Sequence, residues 1–108
     1  MTGTLEDVVI TRHAEKRLAE RSGLNRSAMQ RMCNRAFYNG VKHSDTRGRL
    51  NKWVTSLYFR NTKANNLRLY GDKVFIFSGN TLVTVMQIPN NLKKDLQAML
   101  KWIQVYIH

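Results

Sequence analysis

The stretch "LRLYGDKVFIFSGNTLVTVMQIP", Leu67–Pro89, decides how the fold reads. Three short runs rich in β-branched and aromatic residues are parted by Gly71-Asp72 and by Ser78-Gly79-Asn80. Tight glycine-containing turns between such runs predict antiparallel strands joined as hairpins. Asp72 fits as a turn residue. Pro89 stops the last strand, because proline has no amide hydrogen to give to a ladder. Upstream, "WVTSLYFR", Trp53–Arg60, has the same β-favouring composition. It is expected to add another strand to the meander, for about four strands in all.

Helical patterns flank the sheet. Arg12–Ser22 reads as a helix with Thr11 as N-cap, Gly23 just past its end, and a narrow apolar seam of Ala14 and Leu18. In the second helix, Ser27-Ala28-Met29-Gln30 fits a capping box. Met29, Met32, Cys33, Ala36 and Phe37 follow at three-and-four spacing, and Gly40 ends the segment. After Pro89, Asn90 or Asn91 can cap a last helix whose apolar face holds Leu92, Leu96, Met99, Leu100, Ile103 and Ile107. That helix, which also carries Trp102 and Tyr106, is expected to pack on the sheet or to serve in dimerisation. Two helices, an antiparallel sheet and one helix make an α+β fold with helices on one side. No repeat or linker divides the chain, so residues 1–108 are expected to form a single domain, as monomer or homodimer.

Charge points toward a polyanion. Eighteen Lys+Arg against seven Asp+Glu give a formal net charge of +11 in 108 residues. Nucleic acid is the first partner such an excess implies. An anionic membrane surface is the second, and a basic surface kept for solubility or for an acidic protein partner, an inhibitor or antitoxin, is the plainer explanation. No run of apolar residues is long enough to span a membrane, so no membrane partner is expected. The first residues lack the pattern of a secretory signal, and Cys33 is the single cysteine, which points to a reducing cytosol.

The most provocative constellation is His13, Arg17 and Arg21. On a helix each four-residue step drifts by about 40°, so the three side chains make one cationic stripe. An imidazole exchanges a proton near neutrality, and a guanidinium fork grips phosphate. Together they supply what RNA cleavage by transesterification needs, namely proton transfer and neutralisation of phosphate charge, with no cofactor or metal required. The same stripe equally describes a solvated surface. "VKHSDTRGR" carries Lys42, His43, Arg47 and Arg49 on what reads as a strand end and loop, a charged segment or a phosphate contact. Trp53, Tyr58, Phe59 and Tyr70 interleave with Lys52, Arg60 and Arg68 as a base-stacking platform would, although at least two of these aromatics are expected in the core. The carboxylates are scattered, which fits metal-dependent nuclease chemistry poorly. No phosphate-binding glycine loop, nucleophile elbow or zinc-binding histidine motif occurs. Cys33 sits in the apolar stripe and reads as core.

"RHAEKRLAERSGL" (Arg12–Leu24) paired with "KVFIFSGNTLVTVMQIP" (Lys73–Pro89) resembles the small metal-independent ribonuclease superfamily that groups barnase, the colicin-type tRNases and RelE-like toxins. The likeness is to members with a His-Ala-x-x-Arg first helix, and it spans Ile10 to Pro89. It implies a sheet that presents basic and hydroxyl side chains to an RNA phosphate. Its catalytic positions would be His13, Arg17 and Thr84, with Lys42 or His43 as a further basic contact. Plain alternation puts Leu82, Thr84 and Met86 on one strand face and Val83, Val85 and Gln87 on the other. On that pattern Thr84 is equally explained by β-propensity. The chain departs from RelE-like toxins in following Pro89 with a long apolar helix, and from barnase-like enzymes in having no glutamate in its strands. Either the catalytic set is the histidine variety, or binding was kept and cleavage lost.

The leading expectation is therefore a metal-independent endoribonuclease, toxin-like or phage-borne, acting on tRNA or mRNA through the 2′-hydroxyl. His13 would be its acid or base, Thr84 would orient the phosphate, and Arg17 with Arg21, Lys42, His43, Arg47, Arg49 and Arg68 would bind RNA. The alternative is a non-catalytic basic protein that binds nucleic acid or blocks a nucleic-acid enzyme, as phage-encoded inhibitors do.

Overall fold

A computed structural model describes residues 6–61 and 63–107, with side chains through Lys101. The chain enters through β1 (Val9–Ile10), which lies parallel to β5 (Thr81–Gln87), Val9 opposite Thr81 and Ile10 opposite Leu82. α1 (Arg12–Ser22) follows at once. Thr11 caps it by accepting from the Ala14 amide at 3.1 Å, and Gly23 closes it in the left-handed region at φ 68°. α2 (Arg26–Asn39) is capped by Asn25, whose Oδ1 accepts from the Ala28 amide at 2.9 Å. The expected Ser27–Gln30 box does not form. Ser27 instead accepts from Arg31, and Gln30 donates to the Val8 carbonyl. Gly40 ends α2 with an ordinary φ of −65°; its place there is set by packing, since a Cβ would come within 3.0 Å of Arg68 Cβ.

The chain continues through β2 (Val41–Lys42), a 3₁₀ turn (His43–Asp45), α3 (Gly48–Arg60), β3 (Asn66–Tyr70), β4 (Lys73–Ser78), β5 and α4 (Asn90–Ile107). The sheet runs β1-β5-β4-β3-β2, antiparallel except for β1. The α+β class and the hairpins at Gly71-Asp72 and Ser78–Asn80 agree with the sequence reading. Besides the capping box, three details do not.

First, Trp53–Arg60 is helical and belongs to α3, so the described residues hold five strands and four α-helices. Leu50, Val54 and Leu57 are buried at helical spacing, and this stripe outweighs the β preference of the segment. Second, helices cover both faces of the sheet. Phe75 and Phe77 of β4 pack with Ala14, Leu18, Met29, Cys33 and Ala36 of α1 and α2. Val74 and Ile76 pack with Leu50, Val54 and Leu57 of α3 and with Leu92 and Leu96 of α4. β4 is thus apolar on both sides, as a strand between two helical layers must be. α4 packs on the sheet through Leu92 and Leu96. The side chains of Trp102, Ile103, Tyr106 and Ile107 lie outside the described residues.

Third, simple alternation fails in β5. Thr84 lies opposite Ile76, but the next pair is Leu82 with Phe77, a register shift that leaves Val83 as the extra residue of a bulge. Leu82 and Val85 therefore share the α1/α2 core, while Thr84 falls on the other face. A bulge turns the strand at the one point where the resemblance places a functional hydroxyl.

Candidate active site

Because β1 is two residues long, it pairs with β5 only as far as Leu82. α1 starts where that pairing stops, so its first turn sits beside the bulge. Thr11 fixes the junction three ways. Its amide donates to the Leu82 carbonyl at 3.2 Å, its hydroxyl donates to the Val83 carbonyl at 3.3 Å, and the same oxygen caps α1. Two residues later the His13 imidazole reaches β5, with Nε2 3.2 Å from Thr84 Oγ1. Thr84 is 9% exposed, whereas His13 is open to solvent. A buried hydroxyl aligned on an exposed imidazole limits the ring's rotation without closing it off.

Along α1, His13, Lys16, Arg17 and Glu20 line a shallow depression of about 240 Å³. Arg21 lies one turn beyond Arg17, exposed in the last turn of the helix. Among the described residues no carboxylate holds the Arg17 or Arg21 guanidinium. The ion pairs join Arg26 to Glu15, Arg49 to Asp95, and Lys73 and Lys93 to Asp72. The depression thus sets an imidazole beside the cations of Lys16 and Arg17, with Glu20 as the one carboxylate at its rim.

The remaining sequence-predicted residues lie elsewhere. β2 is three strand spacings from β5, roughly 14 Å at 4.8 Å per step. Lys42 stands exposed on β2 opposite Arg68. Arg68 is spent inside the fold, donating to Asn66 Oδ1 at 3.0 Å and to the Gly40 carbonyl at 3.1 Å. His43 pairs through Nε2 with Thr55 Oγ1 at 2.8 Å, and Arg47 is exposed just before α3. Arg49 closes a fork on Asp95 at 2.7 and 3.0 Å and donates to the Asn91 carbonyl at 2.8 Å, clasping α3 to α4. That hydrogen-bonded pair raises the Arg49 pKa and lowers that of Asp95. So the structure joins His13 to Thr84, sets Arg17 beside His13 in the same depression, leaves Lys42, His43 and Arg47 on the far edge, and holds Arg49 and Arg68 in bonds within the fold.

Thr11, Lys16 and Glu20 are site residues that sequence reasoning passed over. Positions 13, 16, 17 and 20 share one helical face, which the stripe counted only in steps of four. Cys33 is sealed in the α1/α2 core, where burial pushes its thiol up to about 12, far from a nucleophile's range. The described residues gather no group of three His, Cys, Asp or Glu that could hold a metal ion. No helix among them is long and apolar enough to cross a membrane. Comparison with protein-family models, with curated proteins and with solved structures returns no match.

Proposed function

We propose that this protein is a metal-independent endoribonuclease, toxin-like or phage-borne, of the kind that includes barnase, colicin-type tRNases and RelE-like toxins. One observation carries the reading. His13 and Thr84, 71 positions apart in the chain, meet at 3.2 Å beside Arg17.

Cleavage through the ribose 2′-hydroxyl requires that oxygen to lose its proton as it attacks the adjacent phosphorus. The bond from phosphorus to the 5′-oxygen then breaks, a 2′,3′-cyclic phosphate forms, and the departing oxygen gains a proton. In the tautomer that donates from Nε2 to Thr84 Oγ1, the Nδ1 of His13 is the free basic nitrogen. It takes the 2′-hydroxyl proton, and water supplies the proton that the 5′-oxygen gains. Thr84 holds the ring in that orientation. Arg17, one turn along α1, neutralises charge that grows on the pentacoordinate phosphorus. Lys16 and Arg21 extend the cationic track that attracts the backbone.

The test is incubation of labelled tRNA and mRNA in excess EDTA with the wild type and with His13→Gln, prepared identically. Discrete fragments from the wild type alone are expected. RNA that both proteins bind equally and leave intact refutes cleavage and leaves the basic binder.

A further inference from the structure

Phe59 is 73% exposed, the most open of the large apolar side chains among the described residues. Phe75 and Phe77 are fully buried and Phe37 is half-buried, so Phe59 alone of the phenylalanines forgoes the core. Its neighbour Tyr58 is also exposed, at 40%. The two rings meet edge to face with centroids 5.9 Å apart, and Tyr58 in turn lies 5.9 Å from the His43 ring. His43 is anchored by its 2.8 Å bond to Thr55. Three rings therefore form a connected row at the end of α3, on the edge of the sheet away from His13. Lys42, Arg47, Lys52, Arg60 and Lys63 around this region are all exposed, and Asp45 is the single carboxylate between Val41 and Gly71.

We infer that Phe59 and Tyr58, backed by His43, are a base-stacking platform for single-stranded RNA, separate from the His13 centre. Unpaired bases offer flat faces that stack on exposed rings, while the surrounding cations follow the phosphates. Bases inside a duplex are already stacked and cannot do so. A protein-docking surface calls for a wider apolar core than two rings set among lysine and arginine. A second copy packed here about a two-fold axis would set like charges against one another. The inference rests on the RNA reading above for its ligand, but not on cleavage.

The experiment measures affinity for a short 2′-O-methyl oligouridine, which has no 2′-hydroxyl to react, and for a 2′-O-methyl hairpin duplex. The proteins are the wild type, Phe59→Ala, Phe59→Trp and His13→Gln, with cleavage of unmodified RNA and self-association followed in parallel. Phe59→Ala is expected to weaken single-strand binding roughly 5- to 150-fold, the effect of removing one stacking partner, with duplex binding unchanged. Phe59→Trp keeps the affinity and shows fluorescence quenching on binding, and His13→Gln binds as the wild type does. Single-strand affinity unchanged in Phe59→Ala, equal losses for single strand and duplex, or no binding by the wild type each overturn the platform. So does a wild-type dimer that Phe59→Ala abolishes while oligouridine affinity stays constant. A protein that binds through Phe59 and cuts nothing overturns the ribonuclease reading alone.

Discussion

Replacing Asp72 by asparagine should cost stability at neutral pH and cost nothing in strong acid. Asp72 sits in the β3–β4 turn, where its Oδ1 accepts from Lys73 Nζ at 2.8 Å and its Oδ2 accepts from Gln87 Nε2 at 2.9 Å. Lys93 of α4 stands 3.8 Å from Oδ2, and the Asp72 carbonyl accepts from the Ile88 amide at 2.9 Å. One side chain thus joins a turn, the end of β5 and the start of α4. The hydrogen bond from Lys73, then that from Gln87, holds the carboxyl down at about 2, from an ordinary 3.8. A carboxylate whose pKa is lower in the folded chain stabilises the fold above its unfolded pKa, and the gain disappears as pH falls through the folded value. The window is therefore about pH 4 to pH 2. At 1.36 kcal/mol per pH unit the full difference is roughly 2.4 kcal/mol. The Asp72 side chain is 48% exposed, however, and screening by water brings the expected contribution to about 1 kcal/mol. For a chain of this size that equals a fall in Tm of roughly 4–6 °C. Thermal unfolding of wild type and Asp72→Asn across this range checks it. The gap should be full at neutrality and closed near pH 2. No gap at neutrality, or one of equal size in acid, would refute the reasoning.

Cys33, with its thiol raised by burial to about 12, should react with an aromatic disulfide reagent only as fast as the chain opens; prompt labelling of the native protein would contradict its placement in the core. Gly23→Ala should cost about 1 kcal/mol in urea unfolding, because φ is 68° and no atom crowds the added methyl, so conformation alone sets the penalty. Arg17→Gln should lower the salt slope of RNA binding by about one if its guanidinium is the phosphate contact proposed above. Arg49→Gln should leave that slope unchanged, because Asp95 already holds its charge.

Much of the architecture could be read from residues whose local chemistry and tertiary role agree. Thr11 and Gly23 bound α1 as their capping chemistry requires, and the hairpins fall at the glycine turns. The Trp53–Arg60 segment misled because composition was weighed without Leu50, the residue that completes the helical stripe with Val54 and Leu57. The unbroken apolar run of "KVFIF" contained the two-sided burial of β4, but it reads as a strand with either one face or two covered. β1 is too short to show any period, and its pairing with β5 depends on a contact across some seventy residues. The bulge at Val83 has no local signature either, and without it Leu82 stays on the face of Thr84 and Met86. His13 and Arg17 were visible from spacing alone, whereas the contact of His13 with Thr84 depends on β1 delivering α1 to the edge of β5. Arg49 and Arg68 could be recognised as basic, but not as already engaged, because their partners lie on distant elements.

The most direct test of the account is a double-mutant cycle on RNA cleavage. Single-turnover rates would be measured in EDTA for the wild type, His13→Gln, Thr84→Val and the pair combined, with affinity for uncleavable RNA measured alongside. If Thr84 acts by holding the imidazole, each single variant loses most of its rate and keeps its affinity. The double variant is then no slower than the slower single one. RNA left intact by the wild type, or two losses that simply multiply in the double variant, would contradict a catalytic unit built from His13 and Thr84.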